Sequence, residues 1–254
     1  MSSKNNPNLT ILTGASKGMG LAIASQLLKP GDTLLCISRT SNDALVDAAK
    51  RVGTELVQWT HDLADGALLS LRLEQWLLGQ SRTVWASVTL VNNAGMIPPV
   101  APLGNIKPED IARALRVGLE APMQLASAFL RATASWSAPR KVLNISSGLG
   151  RRAMASQAGY CAAKAGMDHF TRCVALEEAL KPNGAKVCSL APGVIDTGMQ
   201  EHLRSADASA FPDQETFLKL KTNGSLTSPE DAATRILAFL ARTDFGSNPV
   251  ADVR

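Results

Sequence analysis

The stretch Leu9-Thr10-Ile11-Leu12-Thr13-Gly14-Ala15-Ser16-Lys17-Gly18-Met19-Gly20 decides the fold. Its opening, Leu9 to Leu12, is an apolar run of strand length, and a helix is predicted from Met19 to Leu28. Glycines between a strand and a helix let the backbone approach a ligand closely, while free N–H groups and the positive helix end face an anion such as a pyrophosphate. The residues in position to do so are Gly14, Ser16, Lys17, Gly18, Met19 and Gly20. Their Gly-x-x-x-Gly-x-Gly spacing differs from the Gly-x-Gly-x-x-Gly of most dinucleotide-binding turns, and a strand-to-helix turn without a ligand reads the same.

Outward from this turn, strand-like runs alternate with longer helical patterns. Strands are expected at Leu9 to Leu12, Thr33 to Ser38, Glu55 to Trp59, Ser87 to Val91, Lys141 to Ser146 and Lys186 to Leu190. Helices are expected at Met19 to Leu28, Asp43 to Val52, Ala67 to Leu78, Pro108 to Ala134, Gly159 to Leu180 and Pro229 to Ala241. Ser228 is placed to cap the last of these, with Pro229 at its first position. Such alternation predicts an α/β fold, a doubly wound parallel sheet with helices on both faces. The chain's 254 residues, 45% of them hydrophobic, suffice for one large core, so a single domain over residues 1–254 is expected. Residues 198–228 are polar, rich in small side chains and without a clean period, which suggests a substrate lid within that domain.

Composition excludes several classes. The formal charge of +4 is modest and spread along the chain, so nucleic acid is not an expected partner. No apolar run reaches membrane-spanning length, and Met1 to Pro7 lacks the apolar core of a secretory signal, so a soluble cytoplasmic protein is expected. Cys36, Cys161, Cys173 and Cys188 are widely separated, with no histidine at ligand spacing; reduced thiols and no metal site are expected. His61, His169 and His202 are isolated and read as surface or packing residues.

The end of the second strand bears on the cofactor. NAD-binding folds place an Asp or Glu about 20 residues beyond the turn to hold the ribose hydroxyls. Here the chain reads Ser38-Arg39-Thr40. Arg39 offers a planar, permanently charged fork to a 2′-phosphate and Lys17 a second cation, which favours NADPH over NADH.

Downstream, Ser147, Tyr160 and Lys164 form a polar trio suited to proton transfer. A free phenol has a pKa of about 10 and needs help to exchange protons near neutrality. Lys164, four residues after Tyr160, shares its helix face, and its charge is expected to lower the phenol pKa. Ser147 lies just past a strand end, placed to hydrogen-bond a substrate carbonyl. Its neighbour Ser146 is expected to point to the opposite face.

Taken together, Thr13 to Gly20, Asn92-Asn93-Ala94-Gly95, Ser147, Tyr160-x-x-x-Lys164 and Pro192-Gly193 resemble the successive motifs of the short-chain dehydrogenase/reductase family over nearly the whole chain. The resemblance implies a seven-stranded Rossmann-type sheet, nicotinamide chemistry and a small-molecule carbonyl substrate. By position it implies that Asp62 and Leu63 flank the adenine, and that Asn93, Ala94 and Gly95 line the ribose side. It also implies that Tyr160 and Lys164 touch the cofactor, and that Pro192, Gly193, Ile195 and Thr197 lie near the nicotinamide and phosphates. One departure stands out: where many members carry an Asn in a water-linked proton relay to the Lys, this chain has Gly118, which marks a backbone irregularity or a close helix contact. Members commonly pair their two long helices, so a homodimer or homotetramer is expected.

The carboxy-terminal third, notably Ala191 to Gln200 and Thr243-Asp244-Phe245, resembles the sepiapterin reductase and benzil reductase group, which reduces vicinal dicarbonyls or pterin side-chain ketones with NADPH. In sepiapterin reductases an Asp near the carboxy terminus anchors the pterin, and Asp252 falls at the matching place, a solvated terminal Asp being the alternative reading. Met154 and Met199 are the other candidate substrate contacts, as apolar pocket walls. Two further readings stay open: a 3-oxoacyl-carrier-protein reductase, and an NADP(H)-binding sensor or scaffold with little turnover.

Overall fold

The computed structural model describes residues 6–253; the ends of the expected domain, residues 1–5 and 254, lie outside the described residues. Seven parallel strands form one sheet in the order β3-β2-β1-β4-β5-β6-β7. They are β1 Asn8–Thr13, β2 Thr33–Ser38, β3 Glu55–Thr60, β4 Ser87–Asn92, β5 Arg140–Ile145, β6 Lys186–Ala191 and β7 Val250–Asp252. Six of the seven lie where sequence pattern places them. β7 is only three half-buried residues at the sheet edge, too short to show a period.

Central strands are buried at nearly every position because both faces of the sheet are covered. The pleat sorts their side chains by parity. Leu9 and Ile11 of β1, Leu35 and Ile37 of β2 and Val88 and Leu90 of β4 enter one core, with Leu69, Leu73, Leu125, Phe129 and Val174 from helices. Leu12, Leu34, Cys36, Val91, Leu143 and Leu190 enter the other, with Ile23, Leu45, Ala233, Ile236 and Leu240. The helices are α1 Gly18–Leu27, α2 Asp43–Val52, α3 Gly66–Leu78, α4 Pro108–Leu115, α5 Ala121–Ala132, α6 Ala158–Ala179, α7 Gly198–Arg204, α8 Gln214–Thr222 and α9 Pro229–Leu240. This is a Rossmann-like parallel sheet flanked by helices, as the alternation predicts.

Two departures from the sequence reading matter. The helix expected over 108–134 is broken by a π-turn at Arg116–Glu120, and Gly118 sits inside it. A Cβ on Gly118 would lie 3.1 Å from the Ala163 Cβ on α6, so the glycine serves both a backbone irregularity and a close helix contact. Residues 198–228, read as irregular, contain α7 and α8, which with the intervening loop build a small core of Leu203, Phe211 and Phe217. The segment's ends are held together by the Ile195–Thr227 bridge and by Lys221 and Arg204 on Asp196.

Cys36 and Cys188 are buried, which pushes both thiols up to about 12, while Cys161 is half-buried and Cys173 exposed; all four are free thiols. No helix among the described residues is long and apolar enough to cross a membrane.

Ser228 caps α9 as its sequence predicts, its Oγ accepting from the Asp231 N–H at 3.0 Å. Ser228→Ala should therefore cost about 1 kcal/mol in urea unfolding, and Ser228→Asp a few tenths at most. Equal stability of the alanine variant and the wild type would show the cap to be idle.

Candidate active site

Every motif picked out in the sequence falls at the carboxyl ends of the strands, around the point where strand order reverses between β1 and β4. Gly14 follows β1 with φ +74°, and its N–H donates to the Ile37 carbonyl at 2.8 Å. A Cβ on Gly20 would lie 1.9 Å from the Gly14 oxygen, so only glycine lets α1 start this close to the turn. The β4 end locks onto the same turn. Thr13 Oγ1 accepts from the Asn93 and Ala94 N–H groups at 3.0 Å, and Asn93 Nδ2 donates to the Thr13 oxygen at 2.9 Å.

Thr197 stands beside Gly18, its Cγ2 being 3.6 Å from where a Cβ would be. Ser16 and Met19 are half-buried in the turn, and Lys17 projects into solvent, as do Arg39 and Thr40 on the bend after β2. Asn42 joins these two segments by donating from Nδ2 to the Ser16 oxygen at 3.1 Å. Pro192 is buried after β6, and Gly193 adopts φ +91°. A tight turn that admits no side chain, a helix start behind it and two cations at its rim fit a dinucleotide with an extra phosphate.

At the far strand, Leu63 is buried, whereas Asp62 is half exposed and already engaged. Asp62 accepts from the Ala64 N–H at 3.0 Å and from Arg113 Nη2 at 2.7 Å. The Ala64 hydrogen bond, then Arg113 and Arg39, hold its carboxyl below the usual range. Arg113 carries no motif, and sequence gave no reason to single it out.

The proton-handling trio converges. Ser147 follows β5, and its Oγ accepts from the Leu149 N–H at 3.2 Å while its hydroxyl faces Tyr160 closely enough to favour the phenolate. Lys164 is 4% exposed and donates to the Ile145 carbonyl at 2.7 Å, with Nζ 5.7 Å from the Tyr160 ring centre. Gly95 lies beside it: a Cβ there would sit in ordinary contact, 3.7 Å from Lys164 Nζ and 3.6 Å from Met199 Cε. Ser146 is buried and its Oγ has no partner among the described residues.

Burial overturns the expected direction for the phenol. Desolvation raises the Tyr160 pKa, against a smaller lowering from Ser147, because a phenolate is costly out of water and the Lys164 charge is itself desolvated and committed to Ile145. Burial also lowers Lys164 to about 8, Asp168 opposing it. At neutral pH the pair is thus a neutral phenol beside an ammonium.

Met154 packs against the Leu203, Phe211 and Phe217 cluster. Asp252 ends β7 and lies 3.7 Å from Arg151 Nη1. Three further residues were missed in the sequence. Gln157, 1% exposed and three residues before Tyr160, has neither amide atom partnered among the described residues. Arg151 and the buried Asp168 form an ion pair at 3.0 Å. Of these only Asp168 left a trace, an acid four residues after Lys164 on the same helix face. Among the described residues no cluster of His, Cys, Asp or Glu can hold a metal ion.

Lys164 also makes stability depend on pH. Its folded pKa of about 8 lies below its ordinary 10.5, so between these values the unfolded chain binds a proton that the folded chain does not. Stability from this group therefore rises with pH across that window, by about 3 kcal/mol in all. Above pH 9 the buried Cys36 and Cys188 thiols, raised to about 12, act in the opposite sense. Urea titrations from about pH 7.5 to 9 should therefore show the rise in the wild type and its loss in Lys164→Met; parallel profiles would contradict it.

A family profile described as short chain dehydrogenase matches residues 8–208. A benzil reductase ((S)-benzoin forming) of Bacillus cereus is 35% identical over 240 residues, covering 94% of this chain and 96% of its own. A sepiapterin reductase of Xenopus laevis is 30% identical over 263 residues, covering 96% and 94%. Among solved structures, a putative 2-deoxy-d-gluconate 3-dehydrogenase from Agrobacterium tumefaciens with bound NADP superposes with a TM-score of 0.79 at 27% identity, over 98% of this chain and 95% of that one. Sequence and structure thus agree over nearly the full length, and the chain belongs to the short-chain dehydrogenase family of oxidoreductases.

Proposed function

We propose that the chain is an NADPH-dependent reductase of small dicarbonyl or pterin-like ketones, with Tyr160 as general acid, Ser147 orienting the carbonyl and Lys164 supporting both phenol and cofactor ribose. The observation that carries this reading is the convergence of the Ser147 hydroxyl, the Tyr160 phenol and the buried Lys164 ammonium at the mouth of the glycine turn. NADPH, when bound, supplies the hydride to the carbonyl carbon. The chain's own residues do the rest. The neutral phenol donates its proton to the carbonyl oxygen, and the adjacent ammonium stabilises the phenolate left behind. A phenol kept protonated by burial is the form a proton donor needs.

Similarity to a benzil reductase and a sepiapterin reductase, both spanning over nine-tenths of the chain, supports the dicarbonyl or pterin branch. Exposed Arg39 and Lys17 support the 2′-phosphate and hence NADPH. Within the same reading, residues 198–228 cover the substrate, with Met199 beside Gly95 and Met154 under the cover as pocket walls. Asp252 acts on a pterin ring from the edge strand, alongside Arg151. Exposed Met123 on α5 and Leu176 on α6 support pairing of copies through these helices.

Following NADPH absorbance with benzil, sepiapterin, isatin and an acetoacetyl thioester tests the substrate class. Turnover of the first three is expected. Turnover of the thioester alone would instead indicate a carrier-protein reductase, and turnover of none a cofactor-binding sensor. Tyr160→Phe should lower kcat at least about a hundredfold, with NADPH Kd within about twofold of wild type; near-normal turnover would remove Tyr160 from the role.

Cofactor choice has its own test. Arg39→Asp places a carboxylate where the 2′-phosphate is expected and should weaken NADPH binding by about tenfold or more, measured by fluorescence titration, with NADH much less affected. Unchanged NADPH affinity would defeat the assignment.

A further inference from the structure

The turn that carries Ser147 is tied to α6 and to the edge strand by an ion pair that the chemistry above does not use. Asp168 lies one helical turn beyond Lys164 on the same face of α6 and is 1% exposed. Its Oδ1 accepts from Ser189 Oγ on β6 at 2.6 Å, and its Oδ2 from Arg151 Nε at 3.0 Å. Arg151 follows the short turn Gly148–Gly150 directly after Ser147. Its Nη2 donates to the Ala251 carbonyl at 3.0 Å, and its Nη1 stands 3.7 Å from Asp252. One guanidinium thus touches α6 and β7 from the Ser147 turn.

The fit is close. A Cβ on Gly150 would lie 2.9 Å from the Lys164 carbonyl oxygen and 3.1 Å from Asp168 Oδ2, so the turn is laid directly on the helix at the level of the reacting residues. A carboxylate this deep is costly unless donors surround it, and an apolar side chain would fill the same space with no such cost. Met167 and Val174, also buried on α6, show that the helix packs well with such residues. What the Asp168 carboxylate adds is direction: two donors from different elements are held at fixed angles to it.

We propose that Asp168 and Arg151 are positioning residues for carbonyl reduction: their pair sets the Ser147 turn against Tyr160 and Lys164 and holds strand β7 in the same frame. This rests on the reductase reading above. The pair also has an electrostatic effect, since the Asp168 carboxylate favours the Lys164 ammonium against burial. The other titratable and charged groups around Lys164 among the described residues are Tyr160 on its own helix and Arg151, itself engaged by Asp252, from the turn after β5. The approach from β4 and α7 is made by Gly95 and Met199, which carry no charge.

Asp168→Asn keeps the shape and removes the charge. It should lower kcat by between about tenfold and a hundredfold with NADPH Kd little changed. The alkaline limb of its pH profile should move to lower pH, a shift that a merely structural residue would not cause. Arg151→Gln, at a partly exposed position, should speed hydrogen exchange in residues 148–151 and 250–252 together, and Arg151→Lys should recover only part of kcat. Asp168→Asn with wild-type kcat and pH profile would overturn the proposal, as would Arg151→Gln loosening one segment without the other. A wild-type enzyme inactive on every carbonyl tried would sink the reductase reading instead, while the exchange experiment would still decide whether the bridge joins the two segments.

Discussion

A lysine ammonium held out of water is the constraint around which the site is arranged. Lys164 meets the Ile145 carbonyl, the Tyr160 ring and the Asp168 charge. Each comes from a position that the fold fixes independently: the end of β5, one helical turn before Lys164 and one after it. The ammonium also needs close neighbours without bulk. Gly150 supplies this beside the helix, where a Cβ would lie 2.9 Å from the Lys164 carbonyl oxygen, while a Cβ on Gly95 would be in ordinary contact with the ammonium. The same desolvation that depresses Lys164 raises Tyr160, so the resting pair is ammonium and neutral phenol. Burial therefore sets the protonation states from which the proposed proton donation would start, with the lysine acting chiefly as the proton leaves.

Gly118 belongs to this arrangement through packing. The π-turn at Arg116–Glu120 displaces the helix path just where α6 passes Ala163, next to Lys164 in sequence. Leu119 packs against Gly166 one turn further on, where a Cβ would approach it to 2.8 Å. A larger residue at 118 would press α6 outward and with it Tyr160 and Lys164. π-turns tend to occur where a helix has been reshaped for function. Here the reshaping lets two helices approach at the depth of the site.

Legibility in the sequence followed periodicity. β1 to β6 announce themselves as short β-rich runs set between longer helical patterns, and the start of α9 because Ser228 is a capping residue that does cap. Tyr160 and Lys164 could be paired because their spacing encodes a shared helix face, and Ser147 joined them by its place just past a strand end. β7 was invisible, being three residues that gain strand geometry only by lying along β6. The direction of the Tyr160 pKa was misjudged because a one-dimensional reading shows the charged neighbour but not the depth of burial, and burial is the larger effect. Arg151 could not be anticipated either: its role exists only through residues 17 and 100 positions away.

The part of the chain least legible from pattern is also the part that shapes the proposed substrate side. Residues 198–228 are clasped at their base by the Ile195–Thr227 bridge and by Asp196 with Lys221 and Arg204. They are held at their far side by Ser156, whose Oγ donates to the Ala210 carbonyl at 2.5 Å. Ser156 adopts φ +61°, a left-handed conformation that costs a non-glycine residue about 1 kcal/mol or more. That cost is borne one residue before the buried Gln157 and four before Tyr160, so the strained residue is a junction between the cover and the helix carrying the proton donor. The sheet and its two cores must satisfy a strict period to fold at all, whereas a cover with its own small apolar cluster can change without disturbing them. Under the proposed function, substrate choice would thus be encoded where sequence pattern is weakest, and reaction chemistry where it is strongest.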